Sequence, residues 1–234
     1  DFDIYRLNQP LNPGDSLKVE MIVQNQSNTW LKDRSPIMKN GTFINNSIFP
    51  SFGYNNGVEI QDNDVRKKYN LPPRERMAAT DDLEARKNTY ISNEADWITF
   101  ETTVSTAGDQ TAIAPGYLQK QWQKDGRNYF HYKMDQKMLN FYAFNSARYE
   151  VKKEKWNNLN LEIYYHKGHE YNLDRMMDAL KKSLAYYSEN FGEYQHKQAR
   201  IIEFPKTKGT FAQAFANTMP FSEAIGFIAN VDED

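Results

Sequence analysis

Residues 159–204 read LNLEIYYHKGHEYNLDRMMDALKKSLAYYSENFGEYQHKQARIIEF, and this stretch decides the fold of the second half of the chain. It begins with strict alternation, which predicts a half-buried strand whose inner face is formed by Leu159, Leu161, Ile163 and Tyr165. Residues 199–204 (ARIIEF) predict a second strand that ends at Pro205. Between them, apolar residues recur at helical spacing, so the stretch predicts a strand–helix–strand unit.

The ends of the predicted helix carry their own signals. Asn172 is a good N-cap residue, and Asp174 places a negative charge in the first turn, where it complements the helix dipole. Gly192 predicts the C-terminal stop. The apolar face that we expect to be buried consists of Leu173, Met176, Met177, Leu180, Leu184 and Tyr187.

Residues 1–150 have a different texture, in which short alternating segments are separated by turn signals. We predict strands at residues 16–23, 97–104, 128–132 and 141–151, a turn at residues 12–15, and a hairpin turn at Asp125-Gly126. Within this half, residues 61–93 are densely charged, and we predict a long loop there with short helices at residues 64–69 and 81–87. The chain is therefore predicted to be mainly β, with an α+β C-terminal part and a domain boundary near residue 150, giving domains 1–150 and 151–234.

Composition excludes several classes of function. The 234 residues are 39% hydrophobic and 26% charged, which is typical of a globular chain. Lys and Arg total 29 against 31 Asp and Glu, so there is no basic excess, and we expect no nucleic-acid partner. The chain has no cysteine, which excludes cysteine nucleophiles and thiolate zinc sites.

One short segment has the residue types of a metal site. Residues 166–170 read His-Lys-Gly-His-Glu. Zincin motifs place two histidines one helical turn apart, whereas His166 and His169 flank a glycine between a strand and a helix. We therefore interpret them as loop histidines and expect no metal ligands. Without a family resemblance, these patterns predict a β-rich part followed by an α/β part, and they do not indicate a function.

Four segments of the front half, taken in order, resemble a known family. They are residues 11–17 (LNPGDSL), residues 40–43 with 49–54 (NGTF and FPSFGY), residues 104–118 (VSTAGDQTAIAPGYL) and residues 141–151 (FYAFNSARYEV). Their order is similar to that of peptidase family M1, the zinc aminopeptidases. The resemblance implies a β-saddle domain of antiparallel sheets, followed by a truncated thermolysin-like catalytic domain.

A sharper resemblance lies near the end of the chain. Residues 220–228 (PFSEAIGFI) can be aligned with the family's G-A-M-E-N-x-G-L-I motif, in which Glu223 and Gly226 match. Pro220, Ser222 and Ala224 replace the Gly, Met and Asn of the motif. The stretch most resembles a divergent bacterial branch of the family, in which some members are fused to permease-type membrane segments. The resemblance implies that Glu223, with Gly226, binds the free α-ammonium group of a peptide from an edge strand. Residues 225–231 are predicted to form a strand.

The resemblance also implies what this chain lacks. The family's zinc ligands come from an H-E-x-x-H motif downstream of G-x-M-E-N, and the sequence contains no H-E-x-x-H. We therefore expect zinc in a longer parent protein, with no catalytic residue and no cofactor in this fragment. The expected partners are a peptide with a free N-terminus and the rest of the catalytic domain. The resemblance to the divergent bacterial branch favours a cell-envelope location, and it leaves open whether the parent protein is attached to a membrane.

Two other interpretations stay open. In the first, the chain is an M1-like scaffold that has lost catalysis and serves as an interaction module, and the changes around Glu223 favour it. In the second, it is a β-sandwich binding module that uses exposed aromatic side chains and ends near residue 150.

Overall fold

The computed structural model describes residues 3–25, 36–53, 56–74, 77–87, 91 and 95–230. In these residues two α-helices are present, α1 (Asn63–Lys68) and α2 (Leu173–Phe191). The strands of the same residues are β1 (Ile37–Met38), β2 (Gly41–Asn45), β3 (Trp97–Ile98), β4 (Glu101–Ala107), β5 (Thr111–Ile113), β6 (Tyr117–Lys124), β7 (Arg127–Lys133), β8 (Met138–Leu139), β9 (Ala143–Ala147), β10 (Tyr149–Trp156), β11 (Leu159–His166), β12 (Gln198–Phe204) and β13 (Thr218–Ser222).

The described residues of the front half form three antiparallel sheets. Their strand orders are β1-β2-β9-β5, β3-β8 and β4-β7-β6. The turn between β6 and β7 is Asp125-Gly126, as predicted, and both residues have positive φ (49° and 72°), as a two-residue hairpin turn requires. The predicted turn at residues 12–15 is also present, closed by a 3.0 Å bond from the Asp15 N–H to the Asn12 carbonyl.

The second half forms a mixed sheet of order β10-β11-β12-β13. β10 and β11 pair antiparallel, whereas β11, β12 and β13 run parallel to one another. A parallel pair needs a long crossover, and α2 supplies the one between β11 and β12. The prediction of a mainly β chain with an α+β C-terminal part is therefore confirmed.

Helix α2 packs one face on this sheet, as its periodicity predicts. Leu173, Met177, Leu180 and Leu184 are buried against sheet residues that include Leu161, Ile163, Ala199 and Ile201. Gly192 ends the helix with φ of 109°. Tyr187 is 60% exposed, contrary to prediction, and its ring contacts Tyr186 and Phe191 of the same helix.

Arg200 on β12 joins the mixed sheet to the front half. It is 2% exposed, and its Nη2 donates to the carbonyl oxygens of Ala114 (2.8 Å) and Gly116 (2.9 Å). It also lies over the ring of Tyr132, 5.4 Å from the centroid. The guanidinium group therefore supplies donors to carbonyls of the loop between β5 and β6.

Two strand predictions were wrong. Residues 16–23 have no strand partner among the described residues, and Leu17 and Ile22 are 55% and 99% exposed. Alternation specifies which face of a strand would be buried but not which strand would pair with it. Residues 223–227 form a turn instead of an edge strand, and Phe227 is fully buried against the core that contains α2.

Two further predictions changed in detail. The segment 141–151 divides at Arg148, where the chain leaves β9 in one sheet and enters β10 in another. The predicted boundary near residue 150 falls beside this crossing and stays a prediction. The helix expected at residues 81–87 is a short 3-10 turn, Ala85–Lys87. Tyr54 and Val231 lie outside the described residues.

Neither helix in the described part of the chain is long and apolar enough to cross a membrane.

Replacement of Arg200 tests its place in the core. Arg200→Met removes the donor to two buried carbonyl groups, and an unsatisfied buried polar group costs about 1–3 kcal/mol, so we expect the free energy of unfolding to fall by about 2–4 kcal/mol. Arg148→Met is the matched control, because Arg148 is 60% exposed and pairs with Asp109 at the surface, which is worth about 1 kcal/mol at most. Urea denaturation of both variants measures the difference. Equal losses would contradict the role given to Arg200.

Candidate functional site

The carboxyl ends of three parallel strands meet at one edge of the mixed sheet. Side chains at such ends converge on a common crevice. His169 lies in the turn after β11, Glu203 is the penultimate residue of β12, and Glu223 follows β13. Their ligand atoms, one from each residue, all lie within 4.8 Å of one another. We call these three residues the His-Glu-Glu cluster.

Glu203 is the innermost member of the cluster. Its side chain is 0% exposed, and one oxygen, Oε1, lies 2.5 Å from Nδ1 of His169. The other oxygen, Oε2, accepts the backbone N–H of His166 at 2.7 Å. Burial raises the pKa of the Glu203 carboxyl group, and the nearby Glu223 raises it further, against the lowering effect of these two hydrogen bonds.

Glu223 is also buried, with 6% of its surface exposed. Its Oε1 accepts the backbone N–H of Lys206 at 2.9 Å, and its Oε2 accepts the side-chain amide of Asn40 at 3.3 Å. Its own backbone N–H donates to the Phe204 carbonyl at 2.8 Å, which anchors the residue beside the end of β12. The carboxylate is thus held by the sheet, by the segment after β12 and by the turn between β1 and β2.

The part of the chain that the structure describes supplies no lysine or arginine to balance the charge of the cluster. Among the described residues, neither Glu203 nor Glu223 forms an ion pair with a lysine or arginine, and His169 is the basic partner of Glu203. A second His–Glu pair, on the front sheets, behaves differently: Glu101 lies 2.8 Å from His131 and also pairs with Lys133 at 3.0 Å. In the His-Glu-Glu cluster the further charged partner is a second carboxylate instead of a lysine. The cluster is therefore suited to bind a cation.

His166 lies at the border of the cluster. Its Nε2 atom is buried and has no hydrogen-bond partner, and its ring centroid is 5.8 Å from that of His169. Burial lowers the pKa of His166, and His169 lowers it further, while the Glu223 carboxylate raises it. The balance favours a neutral imidazole with one polar nitrogen unused.

Gly226, the second residue matched to the family motif, faces helix α2. It has φ of 80°, and a Cβ atom at this position would lie 2.9 Å from the terminal methyl group of Met176. Its carbonyl accepts the side-chain amide of Asn172 at 2.6 Å, and the same amide donates to the Ala229 carbonyl. Asn172 therefore precedes α2 as predicted, but its side chain holds the turn after β13 instead of capping the helix.

The sequence located one member of the cluster and missed two. Glu223 was predicted as a binding residue, and the structure places it in the cluster, on a turn rather than an edge strand. His169 lies in a turn, as the interpretation of a loop histidine predicts, and its imidazole contacts Glu203, a contact that the sequence did not predict. Glu203 could have been found from the sequence, because it lies among apolar residues at the end of a predicted strand (IIEF), and a carboxylate is costly to bury there without a function or a partner.

The residues present do not form the catalytic zinc site of the M1 family. That site needs the H-E-x-x-H helix, which this sequence does not contain, and the His-Glu-Glu cluster comes from strand ends and turns. No chemical step is therefore assigned to zinc in this chain.

Comparison with known proteins shows a distant structural likeness. No protein-family model and no curated protein matches the sequence. Among solved structures, the chain is similar to a mutant M1 zinc metallopeptidase from Deinococcus radiodurans bound to the substrate Tyr-Ser-Ala, with 14% identity and a TM-score of 0.46. The match covers 55% of this chain and 31% of the other. A likeness at this level does not establish a family or a function.

Asn172 provides a test of how the turn after β13 is held. Asn172→Ala leaves the Gly226 and Ala229 carbonyls without their side-chain donor, so we expect the free energy of unfolding to fall by about 1–3 kcal/mol. Amide hydrogen exchange of residues 223–229 should also become faster. Asn190→Ala is the control, because Asn190 makes one exposed bond to the Tyr186 carbonyl at the other end of α2. Unchanged exchange in the turn would contradict the assignment.

Proposed function

We propose that the chain is the front part of an M1-like zinc metallopeptidase, an aminopeptidase in which Glu223 binds the α-ammonium group of a peptide substrate. The observation that carries the proposal is the pair of buried carboxylates, Glu203 and Glu223, at the carboxyl ends of adjacent parallel strands without a lysine or arginine partner among the described residues. Such a pair attracts a positively charged group.

The chemistry of an α-ammonium group fits this pair. The group carries three N–H donors and one positive charge, and a carboxylate that is fixed before binding offers it a charge-assisted hydrogen bond. Glu223 is fixed in this way, because the Lys206 N–H and the Asn40 amide hold its two oxygens from different elements. Burial strengthens the attraction, since the effective dielectric constant is lower than in water.

In this proposal the remaining parts of the enzyme belong to a longer protein. Zinc, bound by residues outside this chain, would polarise the first peptide carbonyl of the substrate. The contribution of this chain is orientation, because holding the amino end of the peptide sets the position of that carbonyl. The peptide substrate, the catalytic partner domain, the cell-envelope location and any membrane attachment stay proposals or predictions.

A scaffold without catalysis is the second candidate, and a specific feature favours it. Pro220, Ser222 and Ala224 replace the Gly, Met and Asn of the family motif. In the structure the Ser222 hydroxyl accepts the Ala224 N–H at 3.4 Å, so two of these replacements contact each other in the turn after β13. Both candidates keep the cation-binding pair, and the presence or absence of H-E-x-x-H downstream in the gene distinguishes them.

The β-sandwich interpretation is less well supported. It requires a fold that ends near residue 150 with its own core. Phe43 on β2 stacks on Phe204 at the end of β12, with ring centroids 4.6 Å apart, and both rings are buried in one cluster. Side chains from the two halves thus share a core.

Neutralisation of Glu223 tests the proposal in the longer protein. Glu223→Gln keeps the shape of the side chain but removes its charge, and a charged hydrogen bond lost from a buried partner costs about 2–4 kcal/mol. We therefore expect kcat/KM for an amino-acid arylamide to fall about 100-fold, with an increase in KM. Steady-state kinetics at matched zinc content measure the change.

The control for this experiment is Glu193→Gln, which removes an equal charge from an exposed position beyond the end of α2. Its kinetics should equal those of the wild type. Wild-type kinetics for Glu223→Gln would refute the ammonium-binding role, and so would an equal loss in both variants.

A further inference from the structure

We propose that the His-Glu-Glu cluster of His169, Glu203 and Glu223 is a binding site for a divalent transition-metal ion such as Zn²⁺, separate from any catalytic zinc. The proposal rests on the residues of this chain and does not depend on the peptidase function. It replaces the expectation, drawn from the sequence, that these residues include no metal ligands.

The donor set fits zinc. One imidazole nitrogen and two carboxylate oxygens are ligands that Zn²⁺ accepts, and three protein ligands leave a fourth position for water. The His169 side chain is 26% exposed and forms the outer edge of the cluster, whereas the Glu203 side chain is fully buried. Ca²⁺ prefers six to eight oxygen ligands and no imidazole, so this set discriminates against it.

The geometry is close to a binding arrangement. Zinc–ligand bonds of about 2.0–2.2 Å in tetrahedral geometry place ligand atoms about 3.4 Å apart. The ligand atoms of the cluster lie within 4.8 Å of one another, and Nδ1 of His169 is 2.5 Å from Oε1 of Glu203. A metal ion would replace this hydrogen bond and draw the Glu223 carboxylate inward, in exchange for its bonds to the Lys206 N–H and the Asn40 amide.

A second observation points to a missing ligand beside the cluster. The Nε2 atom of His166 is buried without a hydrogen-bond partner, and its ring centroid lies 5.8 Å from that of His169. A buried polar atom without a partner is uncommon in a folded protein and calls for a specific reason. A hydrated metal ion in the cluster would bring a water molecule toward this nitrogen.

The second His–Glu pair of the chain serves as an internal comparison. His131 and Glu101 have the same residue types at a similar separation, but Lys133 occupies the remaining side of Glu101. A metal ion there would face a fixed positive charge. We therefore expect zinc at the His-Glu-Glu cluster and none at the His131–Glu101 pair.

Calorimetric titration of the metal-free chain with Zn²⁺ tests the inference. We expect one zinc ion per chain, and with Co²⁺ the visible absorption of a four- or five-coordinate site. His169→Gln and Glu203→Gln should each weaken zinc binding by more than the roughly 10–100-fold typical of losing an outer-shell partner. His131→Gln is the matched control and should bind zinc as the wild type does. Circular dichroism confirms that each variant is folded.

Several results would overturn the site. They are the absence of one-to-one zinc binding to the wild type, an equal loss in His131→Gln and His169→Gln, and Ca²⁺ binding as tight as that of Zn²⁺, which would show only a general attraction for cations. Because His169→Gln changes a partly exposed turn residue, we expect this variant to fold, and it tests the metal site even if Glu203→Gln does not fold.

The result of the zinc titration does not depend on whether the proposed function is correct. Arylamide kinetics of Glu223→Gln test the ammonium-binding role, and zinc binding to the wild type tests the metal site. If both are correct, the two cations compete for Glu223, and zinc should weaken the binding of a peptide with a free amino group while leaving its N-acetylated form unaffected.

Discussion

Two carboxylates, Glu203 and Glu223, lie buried side by side with one imidazole as their basic partner among the described residues. Burying a charge is costly unless a counter-charge or strong hydrogen bonds compensate it. The structure supplies backbone N–H groups from His166 and Lys206, the Asn40 amide and His169. These donors orient the carboxylates, but they do not neutralise both. The site is therefore prepared for a cation, whether an ammonium group, a metal ion or a proton.

The fold accounts for this convergence. β11, β12 and β13 run parallel, so their carboxyl ends lie at one edge of the sheet and bring together residues far apart in sequence. The front half completes the site from the other side through Asn40, in the turn between β1 and β2. Near the other end of β12, Arg200 joins the mixed sheet to the front half through the Ala114 and Gly116 carbonyls. The position of the site therefore depends on contacts made by both ends of β12.

Much of the fold could be predicted from local patterns. The periodicity of α2, the alternation of β11 and the Asp125-Gly126 hairpin each depend on residues near in sequence, and each is present. The failures come from long-range pairing. Residues 16–23 alternate without a described partner, and the apolar Phe227 suits a buried turn under α2 as well as a strand. Likewise, His169 and Glu203 lie 34 positions apart, and only the parallel register of β11 and β12 brings them into contact.

The central claim is that the two carboxylates repel each other in the absence of a bound cation. A double-mutant cycle of Glu203→Gln and Glu223→Gln measures this directly, from the free energy of unfolding at pH 8 in metal-free buffer. The account predicts a repulsive coupling of about 0.5–3 kcal/mol, as expected for residues in contact, and its reduction when zinc is added. Zero or attractive coupling in the metal-free protein would contradict it.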